Sequence, residues 1–138
     1  MQLKFRIILN VEENVFRDIV IDSNITLIEF SKIISSEFGF DSSEISTFHH
    51  SNENWEQLDE IKIFKIDELD LIMDNTPISN FFLSKGDKLI YIYDFLNYWT
   101  FFIELYELDE SVKIDSYKCI NSVGEVPKNP PSDIFDIN

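Results

Sequence analysis

A chain of 138 residues with 26 acidic groups against 11 basic ones, net charge −15, lacks the cationic surface through which phosphate backbones and anionic membranes are bound. Direct nucleic-acid and membrane partners are therefore disfavoured, while the charge serves solubility by self-repulsion and leaves basic partners open. At 44% hydrophobic and 14% aromatic residues the chain can bury one core without metals or disulfides, and the lone thiol of Cys119 points to a reducing compartment, the cytoplasm.

The opening MQLKFRIILN alternates apolar residues with Gln2, Lys4 and Arg6, so it reads as a half-buried strand and not as the continuous apolar core of a signal peptide. Leu3, Phe5, Ile7, Leu9 and Val11 share the inward parity. A turn at 10–14 leads to a second strand at 15–22, whose Ile-Val-Ile run predicts burial on both faces. The two form a hairpin.

Thr26-Leu27-Ile28-Glu29 has the form of a capping box, with Ile25 and Phe30 placed as a hydrophobic staple around it. Leu27, Phe30, Ile33, Ile34 and Phe38 make one apolar stripe, and Gly39 suits a left-handed cap, so a helix is predicted over 26–38. A third strand is expected over 44–51, with Ile45 and either Phe48 or Thr47 inward. Between 53 and 74, eight acids and two lysines interleave with aliphatic residues. That mixture predicts a short edge strand near 61–66 set between acidic connections.

Thr76-Pro77 reads as a cap followed by proline at the first position of a short helical turn ending at Phe82, and Lys85-Gly86-Asp87 as a turn. In 88-KLIYIYDFLNYWTFFIEL-105, which bends near Asp94, Leu89, Tyr91, Tyr93 and Phe95 share one face, with Ile90, Ile92 and Asp94 on the other. After the bend Trp99, Phe101, Ile103 and Leu105 share another. Both faces are largely apolar, which is the pattern of two central strands. Pro127, Pro130 and Pro131 break regular structure near the end, so the expected organisation is a single α+β domain over 1–120 and an extended tail over 121–138.

This order of elements resembles a β-grasp-like mixed sheet with one main helix packed on it. The segment 86-GDKLIYIYDFLNYW-99, the cysteine in 117-YKCINSVGEVP-127 and 130-PPSD-133 together resemble the family named after the third open reading frame of plasmid pRiA4b. Its members share a ββα start, a Y-D-F-G-D-x-W segment and a Pro-Pro-Glu-Asp tail. The Tyr, Asp, Phe and Trp of that segment fall on Tyr93, Asp94, Phe95 and Trp99, whereas its Gly and second Asp fall on Leu96 and Asn97. The tail's acidic pair becomes Ser132-Asp133. Some relatives carry a label implying a transposon resolvase; two arginines, Arg6 and Arg17, cannot supply the arginine-rich pocket that such a nucleophilic enzyme needs.

Candidate binding residues are thus Tyr93, Asp94, Trp99 and Asp133, with no catalytic grouping around them. Asp94 has a functional reading as an acid or base and a structural one as the carboxylate of an Asx-turn, which the lack of a second carboxylate, His or nucleophile at a useful spacing favours. His49-His50 would point to opposite faces of a strand and cannot easily share an ion. Cys119 stands without a zinc pattern, and Gly39, Gly86 and Gly124 are too scattered for a phosphate loop, so no metal and no cofactor is expected. Aromatic base-stacking needs a cationic groove, and only Lys85 and Lys88 lie nearby. The resulting expectation is a non-enzymatic module that binds a protein, either a foreign partner or a second copy of itself, with a small-ligand or enzyme site near Asp94 and Trp99 as the alternative.

Overall fold

The computed structural model describes residues 1–131. Seven strands, β1 (Gln2–Leu9), β2 (Phe16–Asp22), β3 (Ser46–His50), β4 (Glu60–Lys62), β5 (Lys88–Tyr93), β6 (Trp99–Asp109) and β7 (Lys118–Val123), form one sheet in the order β4-β3-β5-β6-β1-β2-β7. One helix, α1 (Leu27–Glu37), covers a single face of it. The result is an α+β domain made mostly of sheet. All six strand pairings are antiparallel, which corrects the expected mixed sheet. Among the described residues no helix is long and apolar enough to cross a membrane.

The parity read from the first strand is realised: Leu3, Phe5, Ile7 and Leu9 are buried under α1, while Val11 lies beyond the strand. Thr26 Oγ1 accepts from the Glu29 N–H at 3.2 Å and donates to the Glu29 carboxylate at 3.1 Å, so the capping pair closes through the hydroxyl instead of the Thr26 N–H. The N–H groups of Leu27 and Ile28, which no turn of the helix can satisfy, donate to Thr76 O (2.9 Å) and Asp74 O (3.0 Å). Thr76 therefore caps α1 with its carbonyl. The short 3₁₀ turn that follows, Ile78–Asn80, has Pro77 at its cap and no side-chain capping bond, unlike the expected Thr76 cap.

Aromatic rings fill the space between α1 and the sheet. Phe5 lies 5.1 Å from Phe30 and 4.6 Å, edge-on, from Phe82; Phe48 stacks against Phe30; Phe101 meets Phe38 at 4.8 Å. Each fully buried ring contributes roughly 1.5–3 kcal/mol by leaving water, and the ring pairs add about 0.5–1.5 kcal/mol each. A polar link crosses this layer, because Tyr91 Oη meets Ser35 Oγ at 3.1 Å and reaches Ser31 O at 3.4 Å. Ser31 and Ser35 thus lie on the buried side of α1, next to the apolar stripe.

Two expectations in the middle of the chain shift. In β3 it is Phe48 that enters the core, whereas Ile45 precedes the strand and is exposed. The acidic segment yields only the three-residue edge strand β4, followed by a loop. At the other edge, β7 pairs with β2 and runs across residue 120, so the sheet includes residues 121–123, which the sequence reading assigns to the tail. Arg17 secures that edge: Nη1 donates to Val123 O and Phe16 O, both at 2.9 Å, and Nε donates to Glu37 O at the C-terminal end of α1, where a cation is favoured.

The face of the sheet opposite α1 carries a row of apolar residues, Ile90, Phe102, Ile8 and Phe16, aligned across β5, β6, β1 and β2. The half-buried Trp55 covers part of it, its ring 4.9 Å from Phe102. Thr100, Phe102, Glu104 and Tyr106 of β6 are half-buried and Leu108 is exposed, so this second face is less enclosed than two apolar parities suggest.

Candidate functional site

The bend joining β5 to β6 needs the chain to reverse within five residues. Asp94 (φ 63°) and Tyr98 (φ 55°) both adopt the left-handed conformation, which Asp tolerates better than most side chains because it can bond its own turn. The Asp94 carboxylate does so: Oδ1 accepts from the Leu96 N–H at 3.1 Å and Oδ2 from Asn97 Nδ2 at 2.6 Å. The Asp94 N–H donates to Ile45 O, and Asp94 O receives the Tyr98 N–H. At 9% exposure the carboxylate is a structural Asx-turn acceptor with both oxygens occupied.

Asn97 closes the bend without adding a second charge. An aspartate in its place would set two carboxylates against each other, whereas the amide donates. Leu96, where the family segment has glycine, is 82% exposed.

Beside the bend lies a hollow of about 380 Å³, lined by Tyr93, Asp94 and Trp99 together with Phe40, Asp41 and Asn97, and bordered by Lys128 and Pro130 of the tail. Phe40 packs between Tyr93 (5.2 Å) and Trp99 (5.1 Å). Tyr93 Oη donates to Asp41 Oδ1 at 3.0 Å and accepts the Glu44 N–H at 3.4 Å. Burial, and after it the bond to Asp41, raises the Tyr93 phenol above its ordinary value; bonds from Ser43, and then from Tyr93, lower the Asp41 carboxyl. Of the four candidate residues the fold brings Tyr93, Asp94 and Trp99 to one place. Asp133 lies outside the described residues.

The remaining candidates disperse. His49 is buried, with Nδ1 3.1 Å from Leu58 O, while His50 is exposed on the opposite side of β3 near Phe81. Among the described residues no group of three or more His, Cys, Asp and Glu side chains stands together as a metal site would require. Both arginines are committed to the framework, Arg17 as above and Arg6 to Asp18, with its guanidinium 4.3 Å from the Phe16 ring and 4.9 Å from that of Tyr106. Burial, ahead of the neighbouring Glu37 charge, pushes the Cys119 thiol up.

A feature that sequence reasoning missed is the loop after β4. Ile66, Leu69, Leu71 and Met73 project into solvent, Leu69 and Leu71 at 89% and 90% exposure, between Asp67, Glu68, Asp70 and Asp74. The loop is nonetheless tied down. Asp70 Oδ1 meets Lys62 Nζ at 2.6 Å, its Oδ2 accepts the N–H groups of Ile66 and Asp67, and Met73 N–H donates to Lys62 O at 2.7 Å. The Lys62 bond, followed by the two backbone bonds, lowers the Asp70 carboxyl to about 2. The signal available in the sequence was the irregular mixture of acids and aliphatics in 67-DELDLIMD-74, which fits neither the helical nor the strand period.

A family model described as plasmid pRiA4b ORF-3-like protein matches residues 1–137. No curated protein matches the chain. Among solved structures the fold is similar to that of a protein of unknown function, MM3350 from Methanosarcina mazei Go1, with a TM-score of 0.68 at 19% identity, over 88% of this chain and 69% of that one.

Proposed function

We propose, starting from the fact that this chain belongs to the plasmid pRiA4b ORF-3-like family, that it is a protein-interaction module without catalytic activity. The observation that carries this reading is the exposed set Ile66, Leu69, Leu71 and Met73 on an anchored acidic loop. A soluble chain that holds large aliphatic side chains in water on a structured loop, rimmed by charge, has the signature of a contact surface. The partner it fits is a protein with an apolar groove bordered by Lys or Arg, reached within a reducing cytoplasm. A second copy docking through the same loop is opposed by the repulsion of two chains of charge −15.

The test compares affinity capture by the wild type and by Leu69→Ser/Leu71→Ser, over a range of salt concentrations. Asp70 is left intact so that the loop keeps its anchor. Proteins retained by the wild type and lost by the variant support the reading, and faster loss of capture at high salt identifies the acidic rim. Equal capture by both chains overturns it.

A second reading, a small-ligand site, is supported by the hollow beside Tyr93, Asp94 and Trp99. Ligand-observed NMR against a fragment collection tests it, with Trp99 and Asn97 signals as reporters. Absence of any saturable shift at those two residues removes it.

A further inference from the structure

A second hollow, of about 400 Å³, opens on the face of the sheet away from α1 and is lined by Trp55, Ile90, Tyr98, Thr100, Phe102 and Pro131. It is separate from the loop after β4 and from the bend hollow. Its walls are built, not incidental. Trp55 takes a left-handed backbone (φ 57°) inside a turn closed by its N–H on Asn52 O (3.0 Å), while Asn52 Oδ1 accepts the N–H groups of Asn54 and Glu56. Tyr98, the other left-handed residue of the rim, is fixed by its N–H on Asp94 O and by Gln57 Nε2 donating to its hydroxyl at 3.1 Å. Two strained turns thus hold two aromatic side chains over the apolar row of Ile90 and Phe102.

The chemistry of this hollow is specific in what it refuses. Lys88, 5.4 Å from the Trp55 ring and paired with Glu104 at 3.5 Å, is the nearby cation, so an anionic ligand has little to bind to. Three aromatic residues with an amide and a hydroxyl at the edge suit a neutral, rigid, apolar ligand that offers carbonyl oxygens. A polyproline II segment is such a ligand: its rings pack on aromatic faces, its carbonyls are unpaired, and its preformed shape lowers the entropy lost on binding. The chain itself supplies the example, because Pro131 of its own Pro130-Pro131 pair sits in the lining.

We infer that the hollow formed by Trp55, Tyr98 and Phe102 is a binding site for a proline-rich extended segment of a partner protein, with Pro131 held at its mouth as a displaceable stand-in. The inference does not depend on the acidic loop.

The experiment is a titration of the full ¹⁵N-labelled chain with a ten-proline peptide, following the Trp55 indole N–H, with a ten-residue Gly-Ser peptide and oligo-dT as comparison ligands. Expected is a saturable shift with the proline peptide alone, a loss of affinity of at least tenfold, about 1.4 kcal/mol, for Trp55→Ala measured calorimetrically, and a several-fold gain for Pro131→Ser. Should Trp55→Ala fail to fold, Gln57→Ala, at an exposed position, serves in its place and is expected to weaken binding two- to fivefold. No shift with the proline peptide, or an equal one with Gly-Ser, overturns the inference. A shift with oligo-dT and none with proline assigns the hollow to base stacking and overturns it as well.

Discussion

Arg6 and Asp18 face each other across the β1–β2 hairpin in a two-point ion pair, Nε to Oδ1 at 2.8 Å and Nη2 to Oδ2 at 3.0 Å, with Asn121 of β7 donating to the same carboxylate at 3.3 Å. Asp18 is 4% exposed, whereas the Arg6 side chain remains partly in water. Burial pushes the carboxyl up, and the bonds from Arg6 and Asn121 more than offset that, leaving it below 3.8. Arg6→Leu removes the stronger donor and leaves a buried charge, which is expected to cost about 1–3 kcal/mol, below the full value for a wholly buried pair because Arg6 is partly solvated. Because the folded carboxyl lies below its unfolded value, the pair's contribution is present above pH 3.8 and fades as the pH falls through the folded value. Urea titrations of wild type, Arg6→Leu, Asp18→Asn and the double variant at pH 7 and pH 3 check both points; coupling that is unchanged at pH 3 contradicts the assignment.

The Asx-turn at Asp94 predicts an order of stabilities. Asp94→Asn keeps the left-handed preference and an acceptor at Oδ1, at a cost of about 1 kcal/mol or less. Asp94→Gly keeps the backbone and loses both side-chain bonds. Asp94→Ala loses both features and is expected to be the worst, at about 2–3 kcal/mol. Thermal melting of the three variants gives the order directly, and an unperturbed Asp94→Ala rejects the structural role.

Gly124 (φ 77°) follows β7, and a Cβ added there would overlap the Asn14 carbonyl oxygen on the β1–β2 turn. Gly39 (φ 83°) has open space around it. Gly39→Ala therefore carries only backbone strain, about 1 kcal/mol, while Gly124→Ala must also displace the turn or release β7. Hydrogen exchange should show accelerated Ile120–Val123 amides in Gly124→Ala alone. Identical exchange in the two variants contradicts the close approach.

Tyr91, Tyr93 and Tyr117 all lie above the ordinary phenol value of 10.0, burial being the leading cause in each. Between 10.0 and their folded values the unfolded chain has released protons that the folded one retains, so stability falls as the pH rises through that range and is full below it. Alkaline denaturation should begin above pH 10. Tyr91→Phe should flatten that decline while losing about 1–2 kcal/mol at pH 7 through the unpaired Ser35 hydroxyl. A decline as steep as that of the wild type contradicts the role of Tyr91.

Legibility in the sequence tracked how local each cause was. The first strand's parity and the Thr26–Glu29 cap depend on residues within one turn or one strand, and both appear in the structure. Strand direction does not: β1 lies against β6, about a hundred positions along the chain, and nothing in either periodicity states that they run antiparallel. Ile45 was misplaced because β3 begins at Ser46, two residues later than the strand expected over 44–51. Tyr93, Asp94 and Trp99 were legible as neighbours, since the bend itself gathers them. Its neighbours Phe40 and Asp41 come from the connection that follows α1 and carry no mark of that meeting in the sequence. The aromatic run told which face the rings of the two strands take, but it set Phe95 with the inward residues, whereas the bend ends the strand before it and leaves it exposed. Nor did it tell what covers the outer face; Trp55 arrives there from the acidic connection ahead of β4.

The hairpin of β1 and β2 is flanked on one side by β6 and on the other by β7. As the polypeptide leaves the ribosome, that first-made hairpin has both margins bare until residues 99–123 have followed, so non-local closure limits its folding rate and leaves the nascent chain open to mispairing in the meantime. A chaperone that shields extended segments has its longest opportunity here, over the interval between the twenty-second residue and the hundred-and-twenty-third.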